Sequence, residues 1–440
     1  MSVERRARIL TAAKWSAAVS IAFFLAAPAA AQSSLQVPIQ FDLLSPGARS
    51  LAVGSAFAGL ADDATAATTN PAGLSQLTSP EVSVEGRFRS IDSVFLLGGR
   101  LSGAPTGTGV DTVNGPVFRG VTDSGAALSF ASIVIPMGRF VFAGYRHGIV
   151  QVDTDFSTQG AIQALTVRGI SFDVRDLPLR AHRGLTLDNY GASLSWRAST
   201  RVALGGGLSF YRFDMDSLYR RLATDGPFGP AIETTERARA TQHGTDVKVG
   251  GSVAALVNVG GPWKVGAIYT FAPTVTFDFA DNTIGPEPAE TNFGLPDRLA
   301  LGLSGRFERA MVTVEVTRIA YSALNEFVQA PAAILGRDDQ FSVEDVTELH
   351  AGFEYTLSLP RISPDLRIGY WFEPDHSVKF RPALNDQFDE LFDVTLSQGR
   401  DLSHITGGVG LAISRRFELN FGVDVSKRTT LATVSSVVRF

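Results

Sequence analysis

The stretch FDLLSPGARSLAVGSAFAGLADDATAATTNPAGLSQLTSPEVSVEGRF, residues 41–88, decides the fold. Two of its dipeptides, Ser45-Pro46 and Asn70-Pro71, place an N-cap residue before a proline. Proline suits the first helical position because its φ is already helical and its missing N–H costs nothing there. They predict short helices near residues 46–60 and 71–77. The stretch has too few large apolar side chains to build its own core, so we expect it to pack as a plug inside a larger structure.

The chain after this stretch alternates between apolar and polar residues in segments of about ten, the pattern of strands with one apolar and one polar face. Fourteen such strands are predicted. They lie near residues 81–91, 125–135, 139–150, 187–198, 201–213, 245–259, 263–279, 298–307, 311–321, 347–358, 365–374, 401–414, 417–427 and 430–440.

The connections between these strands alternate in length. Short turns lie near residues 136–139, 199–201, 260–262, 308–310, 359–364 and 415–416, and long polar loops near 92–124, 151–186, 214–244, 280–297, 322–346 and 375–400. A soluble β-sandwich has no reason to alternate in this way, whereas an outer-membrane barrel has short periplasmic turns and long outer loops.

The sequence therefore predicts an all-β protein: a fourteen-stranded antiparallel transmembrane β-barrel with a small, partly helical N-terminal hatch inside its lumen. Residues 32–80 are predicted to form the hatch and residues 81–440 the barrel. An even strand number places the hatch and the carboxyl end on the same, periplasmic side.

Residues 1–31 are predicted to be a cleaved signal peptide, with a basic start, a short apolar stretch and the small residues Ala29, Ala30 and Ala31 before the cleavage point. No later segment has about twenty continuous apolar residues, which excludes a helical membrane protein. Cysteine is absent, which excludes a lipoprotein anchor, thiol catalysis and disulfides. We expect export to the outer membrane of a Gram-negative cell.

The charge balance and the scattered histidines exclude other classes. With 39 basic and 44 acidic residues, the chain has no electrostatic footprint for nucleic acid. The six histidines show no HxxxH or HExxH spacing and no GxSxG motif occurs, so we expect no enzyme activity, no catalytic residue, no metal site and no cofactor.

The run GARSLAVGSAFAGLADDATAATTNPAGLSQL resembles the N-terminal hatch signature of the long-chain fatty-acid (FadL-like) outer-membrane transporters. Neighbouring PorV-like barrels, which serve as secretion scaffolds, share this signature. The segments GLPDRLALGLSGRF (294–307), DLRIGYWFEP (365–374) and DLSHITGGVGLAIS (401–414) are similar to further strands of the transporter family. Where that family usually has an Asp followed by Trp and Trp-Ser, this chain has Glu315, Arg318 and Tyr321-Ser322, so ligand details do not carry over from that strand.

The resemblance implies passive transport of hydrophobic small molecules, long-chain fatty acids above all. It implies capture at the outer loops, a hydrophobic lumenal pocket and hatch-gated lateral release beside a kinked third strand, for which Gly144 and Gly148 are the kink candidates. Two alternatives stay open: a scaffold or secretion-associated barrel that binds protein partners, and a general porin, against which a long plug argues. The hatch motif carried over from the family consists of Asn70, Pro71, Ala72, Gly73 and Leu74.

The strand pattern suggests four ligand-binding residues. On the third predicted strand, Phe140, Phe142 and Arg146 share a face that we expect to line the lumen, and on the sixth Lys248 lies opposite apolar residues. Aromatic surface with a cation suits an amphipathic acid. The alternative is that such inward charges pair with one another in a polar lumen.

The expected partners are a hydrophobic ligand such as a fatty acid or hydrocarbon, the lipid of the outer membrane, and the barrel-insertion machinery. The last strand, TLATVSSVVRF, ends in Phe440 and resembles the signal that this machinery recognises. We expect the barrel to be a monomer.

Overall fold

The computed structural model describes residues 43–167, 169–283, 285, 287–333, 338–360, 363–382 and 389–440. The predicted signal peptide and residues 32–42 of the predicted hatch lie outside the described residues. None of the described helices is long and apolar enough to cross a membrane.

Fourteen strands form one closed antiparallel barrel, which confirms the predicted fold class. The last strand pairs with the first in a continuous ladder from Glu81 with Arg439 to Ile91 with Thr429. The strands are β1 Glu81–Arg100, β2 Gly115–Met137, β3 Phe140–Ser157, β4 Leu179–Arg197, β5 Val202–Thr224, β6 Ala231–Gly260, β7 (Trp263–Phe271 and Thr274–Asp281), β8 (Ala289–Gly294 and Arg298–Arg306), β9 Ala310–Ile319, β10 Val346–Thr356, β11 Pro364–Glu373, β12 Leu402–Ala412, β13 Phe417–Val425 and β14 Thr429–Arg439.

Short turns lie at one end of the barrel, here called the turn end. The longer connections lie at the other, the loop end, together with one short turn between β13 and β14. Several strands run further toward the loop end than the alternation predicts: β1 continues to Arg100 and β6 begins at Ala231. Alternation fades there because the outer face no longer has to be apolar, although the backbone ladder continues.

The connections at the loop end contain structure of their own. The β3–β4 connection holds a hairpin of Gly160–Val167 and Ile170–Arg175, and its first strand pairs in parallel with the end of β1 through Gly98 and Gly160. Two helices, Asn325–Ala333 and Asp389–Leu396, lie in later loops, and Phe341–Ser342 pairs with Lys379–Phe380.

The outer face of the barrel is apolar, and the lumenal face packs on the hatch. Large apolar side chains such as Ile133, Leu208, Val249 and Ile368 are about half exposed on the outside. This distribution is the reverse of a soluble protein and suits a surface that faces lipid.

The hatch occupies the lumen, and almost every described residue from 44 to 77 is buried. It contains the helices Ala48–Ala52 and Ala66–Thr69 and a 3₁₀ helix, Pro71–Gln76. The prediction near residues 71–77 is confirmed as a 3₁₀ helix. The helix predicted near residues 46–60 is present but shorter: it begins after Gly47 without a side-chain cap and ends at Ala52. Gly54 and Ser55 adopt positive φ angles of 68° and 58°, which a continuing helix does not allow.

Candidate functional site

The hatch motif is a buried cap that joins three parts of the molecule. The Asn70 Oδ1 accepts a hydrogen bond from the backbone N–H of Ala72 at 3.1 Å, as an N-cap residue should. Its Nδ2 donates to the carbonyl of Ala58 at 2.7 Å and to that of Ala255 on β6 at 3.3 Å. Gly73 lies so close to Ala61 that an added Cβ would come within 2.3 Å of its carbonyl oxygen. The motif thus fixes the shape of the hatch and ties it to the barrel.

Hydroxyl groups on the lumenal face of the barrel bind the carbonyl oxygens of the hatch. A short plug with little regular structure leaves many backbone carbonyls unpaired, and burying such a group without a partner costs free energy. Each hydroxyl satisfies one of them, at distances of 2.6 to 3.2 Å: Ser132 with Ala64, Ser193 with Ala67, Ser195 with Ala72, Ser304 with Gly59, Thr313 with Ala56 and Thr406 with Ala52.

Glycines on the barrel strands let the hatch backbone approach closely. At Gly266, an added Cβ would lie 1.9 Å from the carbonyl oxygen of Ala58, and at Gly205, 2.3 Å from the backbone nitrogen of Ala72. Only a residue without a Cβ fits such a position. The same close approach to the hatch occurs at Gly302, Gly352, Gly369 and Gly422.

A buried carboxylate on β9 holds the middle of the hatch. The Glu315 Oε2 accepts from the backbone N–H groups of Phe57 at 2.9 Å and Ala58 at 2.7 Å. Its Oε1 accepts from Arg298 at 3.0 Å and from the hydroxyl of Thr317 at 2.9 Å. Glu315 is the residue at which the sequence departs from the family pattern, and here it is a hatch anchor.

An ionic network anchors the turn-end side of the hatch. Arg49 contacts Asp62 at 2.6 Å within the hatch and Glu354 on β10 at 2.8 Å. Arg306 on β8 contacts Asp62 at 2.7 Å, and Arg367 on β11 contacts Glu354 at 2.8 Å. Each carboxylate in this network contacts at least two arginines, so its charge is compensated although it is largely buried.

A narrow cleft lies between the hatch and the loop end. Apolar side chains, including Leu43, Ile149 and Leu187, form much of its wall. Polar groups are added by His147, Tyr211 and Arg298, the arginine that is bonded to Glu315. The cavity volume of the cleft is about 60 Å³. The cleft continues into a cluster of buried apolar side chains that includes Phe213, Phe277, Phe293 and Phe327.

Strands β2 and β3 separate above the cleft. Their pairing runs from Met137 with Phe140 only as far as Phe130 with His147, although both strands continue toward the loop end. At the same level β3 has a bulge against β4, where Gly148 pairs with Asp188 and Val150 with Leu187, leaving Ile149 as the extra residue. Ile149 lines the cleft, so the bulge, the cleft and the unpaired edges lie together.

The prediction that Phe140 and Phe142 face the lumen was wrong. Both are 45% exposed on the outer face, whereas Val141, Ala143 and Tyr145 are buried among hatch residues such as Phe57 and Leu60. The alternation of β3 defined two faces without deciding which one the hatch would cover. Phe140 pairs with Trp196 near the turn end, where Trp263 and Phe307 are also exposed, as in the aromatic girdle of a membrane barrel.

The predicted cations lie in different surroundings. Arg146 is on the same face as Phe142, and its guanidinium donates to the carbonyl of Leu128 on β2 and to Asp188 on β4. Lys248 pairs across the ladder with Tyr211, which places it on the lumenal face as expected, but its ammonium lies 3.3 Å from Asp246. Neither lines the cleft.

The two kink candidates differ. Gly148 lies at the bulge of β3, while Gly144 is in a regular part of the ladder, paired with Ile133 and Ala192. The cleft residues Ile149, Leu187, Tyr211 and Leu295 were not predicted from the sequence. One signal was available: Ile149-Val150 puts two apolar residues in succession and breaks the alternation of β3.

These features define a class: a fourteen-stranded barrel that is plugged by an N-terminal hatch and has an apolar cleft beside an unpaired strand edge. Solved structures of this fold match the whole described architecture. A FadL homologue from Pseudomonas aeruginosa matches with a TM-score of 0.59 and 12% identity over 91% of this chain and 99% of that one. The Ralstonia pickettii toluene transporter TbuX matches with a TM-score of 0.54 and 14% identity, over 90% and 99%.

The Pseudomonas putida toluene transporter TodX matches with a TM-score of 0.50 and 14% identity, over 91% of this chain and 99% of that chain. The chain thus has the FadL-like fold. No family model and no curated protein sequence matches it.

Proposed function

We propose that the protein is an outer-membrane channel for the passive entry of hydrophobic small molecules. The observation that carries this proposal is the apolar cleft between the hatch and the loop end, which is lined by β3 at the level where the pairing of β3 with β2 ends. Apolar surface gains about 25 cal/mol for each Å² that it removes from water, so a hydrophobic molecule in the cleft is held without a dedicated polar partner.

The loop end faces the exterior in this proposal, because membrane barrels carry their long loops outside. A ligand enters among the loops, occupies the cleft by displacing apolar side chains, and leaves between β2 and β3 into the membrane. The ends of the barrel support a lateral exit. The hatch fills the lumen on the turn-end side, and on the loop-end side Phe95, Phe156, Leu179 and Tyr219 pack together.

The ligand class rests on the chemistry of the cleft. Its cation, Arg298, is already paired with Glu315, so the cleft has no uncompensated charge for a carboxylate among its described lining residues. This favours a neutral hydrocarbon over a fatty acid. TbuX and TodX, two of the structural neighbours, are toluene transporters, and this likeness of fold supports the same preference.

The test is uptake of labelled toluene and labelled oleate by cells that lack their own transporters. The variant is Leu187→Trp, which fills the cleft from β4, and the control is Leu204→Trp, the same substitution on the lipid-facing side of β5, where Leu204 is 42% exposed. We expect the parent and the control to take up toluene, and the cleft variant to lose most of this uptake at equal surface level.

Faster uptake of oleate than of toluene would reverse the ligand preference and leave the channel intact. No uptake of either compound by correctly inserted parent would overturn the transport proposal. Capture of protein partners would then test the scaffold function that the hatch signature also allows.

A further inference from the structure

A second pocket lies at the loop end, apart from the cleft, and it is lined by arginine. It lies between the outer parts of β2, β3, β4 and β6. Arg119 on β2 and residues 157–159 at the end of β3 stand on its two sides, so the pocket lies where β2 and β3 are unpaired. The charged side chains of its wall are Arg119, Arg175, Arg180 and Glu233.

Arg175 is held in place by backbone groups. Its Nε and Nη2 donate to the carbonyl of Gln159 at 3.0 and 2.6 Å, and its Nη1 donates to the carbonyl of Gly229 at 2.7 Å. Carbonyl oxygens orient a guanidinium without neutralising it. The Nη1 of Arg175 also donates to the carbonyl of Pro227, at 3.5 Å. A guanidinium has five N–H donors, so one remains for a ligand.

The acidic residues near Arg175 are engaged elsewhere. Asp176 is bonded to Arg221 at 2.7 and 2.8 Å, and Asp173 to Arg100 at 2.8 Å. Burial lowers the pKa of Arg175, with only Asp176 acting in the opposite direction, as expected for a cation without a close counter-ion.

The other two arginines differ from each other. Arg180 is paired with Glu233. Arg119 is exposed and has no ion pair with any residue that the structure describes. The wall therefore carries two uncompensated positive charges, those of Arg119 and Arg175.

We propose that this pocket binds a phosphate group, supplied by the headgroup of an outer-leaflet glycolipid or by a free phosphate. A phosphate monoester carries close to two negative charges at neutral pH and offers three acceptor oxygens, which matches two guanidinium groups. The pocket adjoins the outer parts of β2 and β3 where they are unpaired, and the two sources of phosphate are separated by experiment. This inference does not depend on transport, because it concerns charges outside the cleft.

The experiment measures binding to purified full-length protein by native mass spectrometry. The probes are inorganic phosphate, a bisphosphorylated lipid A and the same lipid A after removal of its phosphates. The main variant is Arg119→Gln, whose side chain has no bonded partner among the described residues, and the second is Arg175→Gln. The control is Arg201→Gln, an exposed arginine at the turn end.

We expect each pocket variant to weaken binding of the phosphorylated lipid by about tenfold or more, since a charge-assisted hydrogen bond is lost, and the control to bind as the parent does. If inorganic phosphate binds and the pocket variants weaken its binding to the same extent, the pocket is assigned to free anions. If only the phosphorylated lipid binds, the pocket is assigned to lipid headgroups. Equal binding of the dephosphorylated lipid, or unchanged binding in the Arg119→Gln variant, would overturn the proposal.

Discussion

Single residues on the lumenal face decide how the hatch is held. Glu315 accepts four hydrogen bonds, from two hatch N–H groups, one arginine and the hydroxyl of Thr317. Gly266 gives the space that the carbonyl of Ala58 occupies. One of these residues supplies a partner and the other supplies room. Loss of either affects the hatch before it affects the barrel ladder.

Replacing Glu315 by Ala is expected to loosen the hatch. The change leaves Arg298 without its buried partner and two hatch N–H groups unpaired, at a cost of about 3–5 kcal/mol. Hydrogen exchange should rise at residues 54–60, with the barrel strands unchanged. The control is Glu308→Ala at an exposed turn. Equal protection of residues 54–60 in both variants would show that Glu315 does not anchor the hatch.

Replacing Gly266 by Ala is expected to displace the hatch near Ala58. The added Cβ would meet the carbonyl oxygen of Ala58, and neither atom can move without its backbone. Overpacking of this kind costs about 1–3 kcal/mol. Limited proteolysis should cut the hatch sooner than in the parent. In Gly125→Ala, the added Cβ has nothing within 4 Å, so the control should resist proteolysis as the parent does. Cleavage of the hatch at the same rate in Gly266→Ala and Gly125→Ala would contradict the steric argument.

At the scale of the element, β3 packs on the hatch, lines the cleft and forms one edge of the gap between β2 and β3. Its turn-end half pairs with both neighbours, while from Gly148 outward the described ladder joins it only to β4. The change coincides with one extra residue, Ile149, whose bulge against β4 bends β3 at the level where its pairing with β2 stops.

Deletion of Ile149 is expected to straighten β3 without inverting its faces. Ile149 and Val150 are both buried, so removal of one restores strict alternation, with His147, Val150 and Val152 on the buried face. Toluene uptake should fall if release is lateral, while the barrel still folds, as judged by heat-modifiable migration in electrophoresis. Ile149→Ala keeps the bulge and is the control. Undiminished uptake by the folded deletion variant would exclude an exit that depends on the bulge.

At the scale of the whole molecule, the barrel is closed differently at its two ends. The hatch closes the turn-end side, and the loops close the other through apolar packing and a buried ionic cluster. In this cluster Arg100, at the end of β1, contacts Asp111 in the following loop at 2.6 Å and Asp173 in the β3–β4 connection at 2.8 Å. The hydrogen bonds from Arg100 hold the pKa of Asp111 well below its usual range.

The loop end is therefore expected to keep its structure from pH 8 to pH 5. A lowered pKa contributes stability that is complete above the unfolded-state value of about 3.9 and is lost only as the pH falls toward the folded-state value. Hydrogen exchange at residues 101–114 should be constant over this range after correction for the intrinsic rate. Asp111→Asn should raise the hydrogen exchange of these residues at every pH in the range, and the exposed control Asp225→Asn should leave it unchanged. A rise in the parent between pH 8 and pH 5 would contradict the assignment.

The sequence by itself determined the strand number, the alternation of turns and loops, and the cap at Asn70. These features depend on local rules: side chains alternate along a strand, and a helix start needs an acceptor for its free N–H groups. The same rules failed at Ser45-Pro46, because nothing local showed that Gly54 and Ser55 would end the helix early.

Only the tertiary structure decided which face of β3 points inward. Both faces carry apolar residues, Phe140 and Phe142 on one and Val141 and Tyr145 on the other, so alternation could not choose between them. The choice came from the hatch, which packs on the face with Val141 and Tyr145 from about eighty residues earlier in the chain, and from lipid, which favours exposed aromatic rings near the turn end. The cleft is likewise a product of distant residues, since its walls come from the hatch and from β3, β4, β5, β7 and β8.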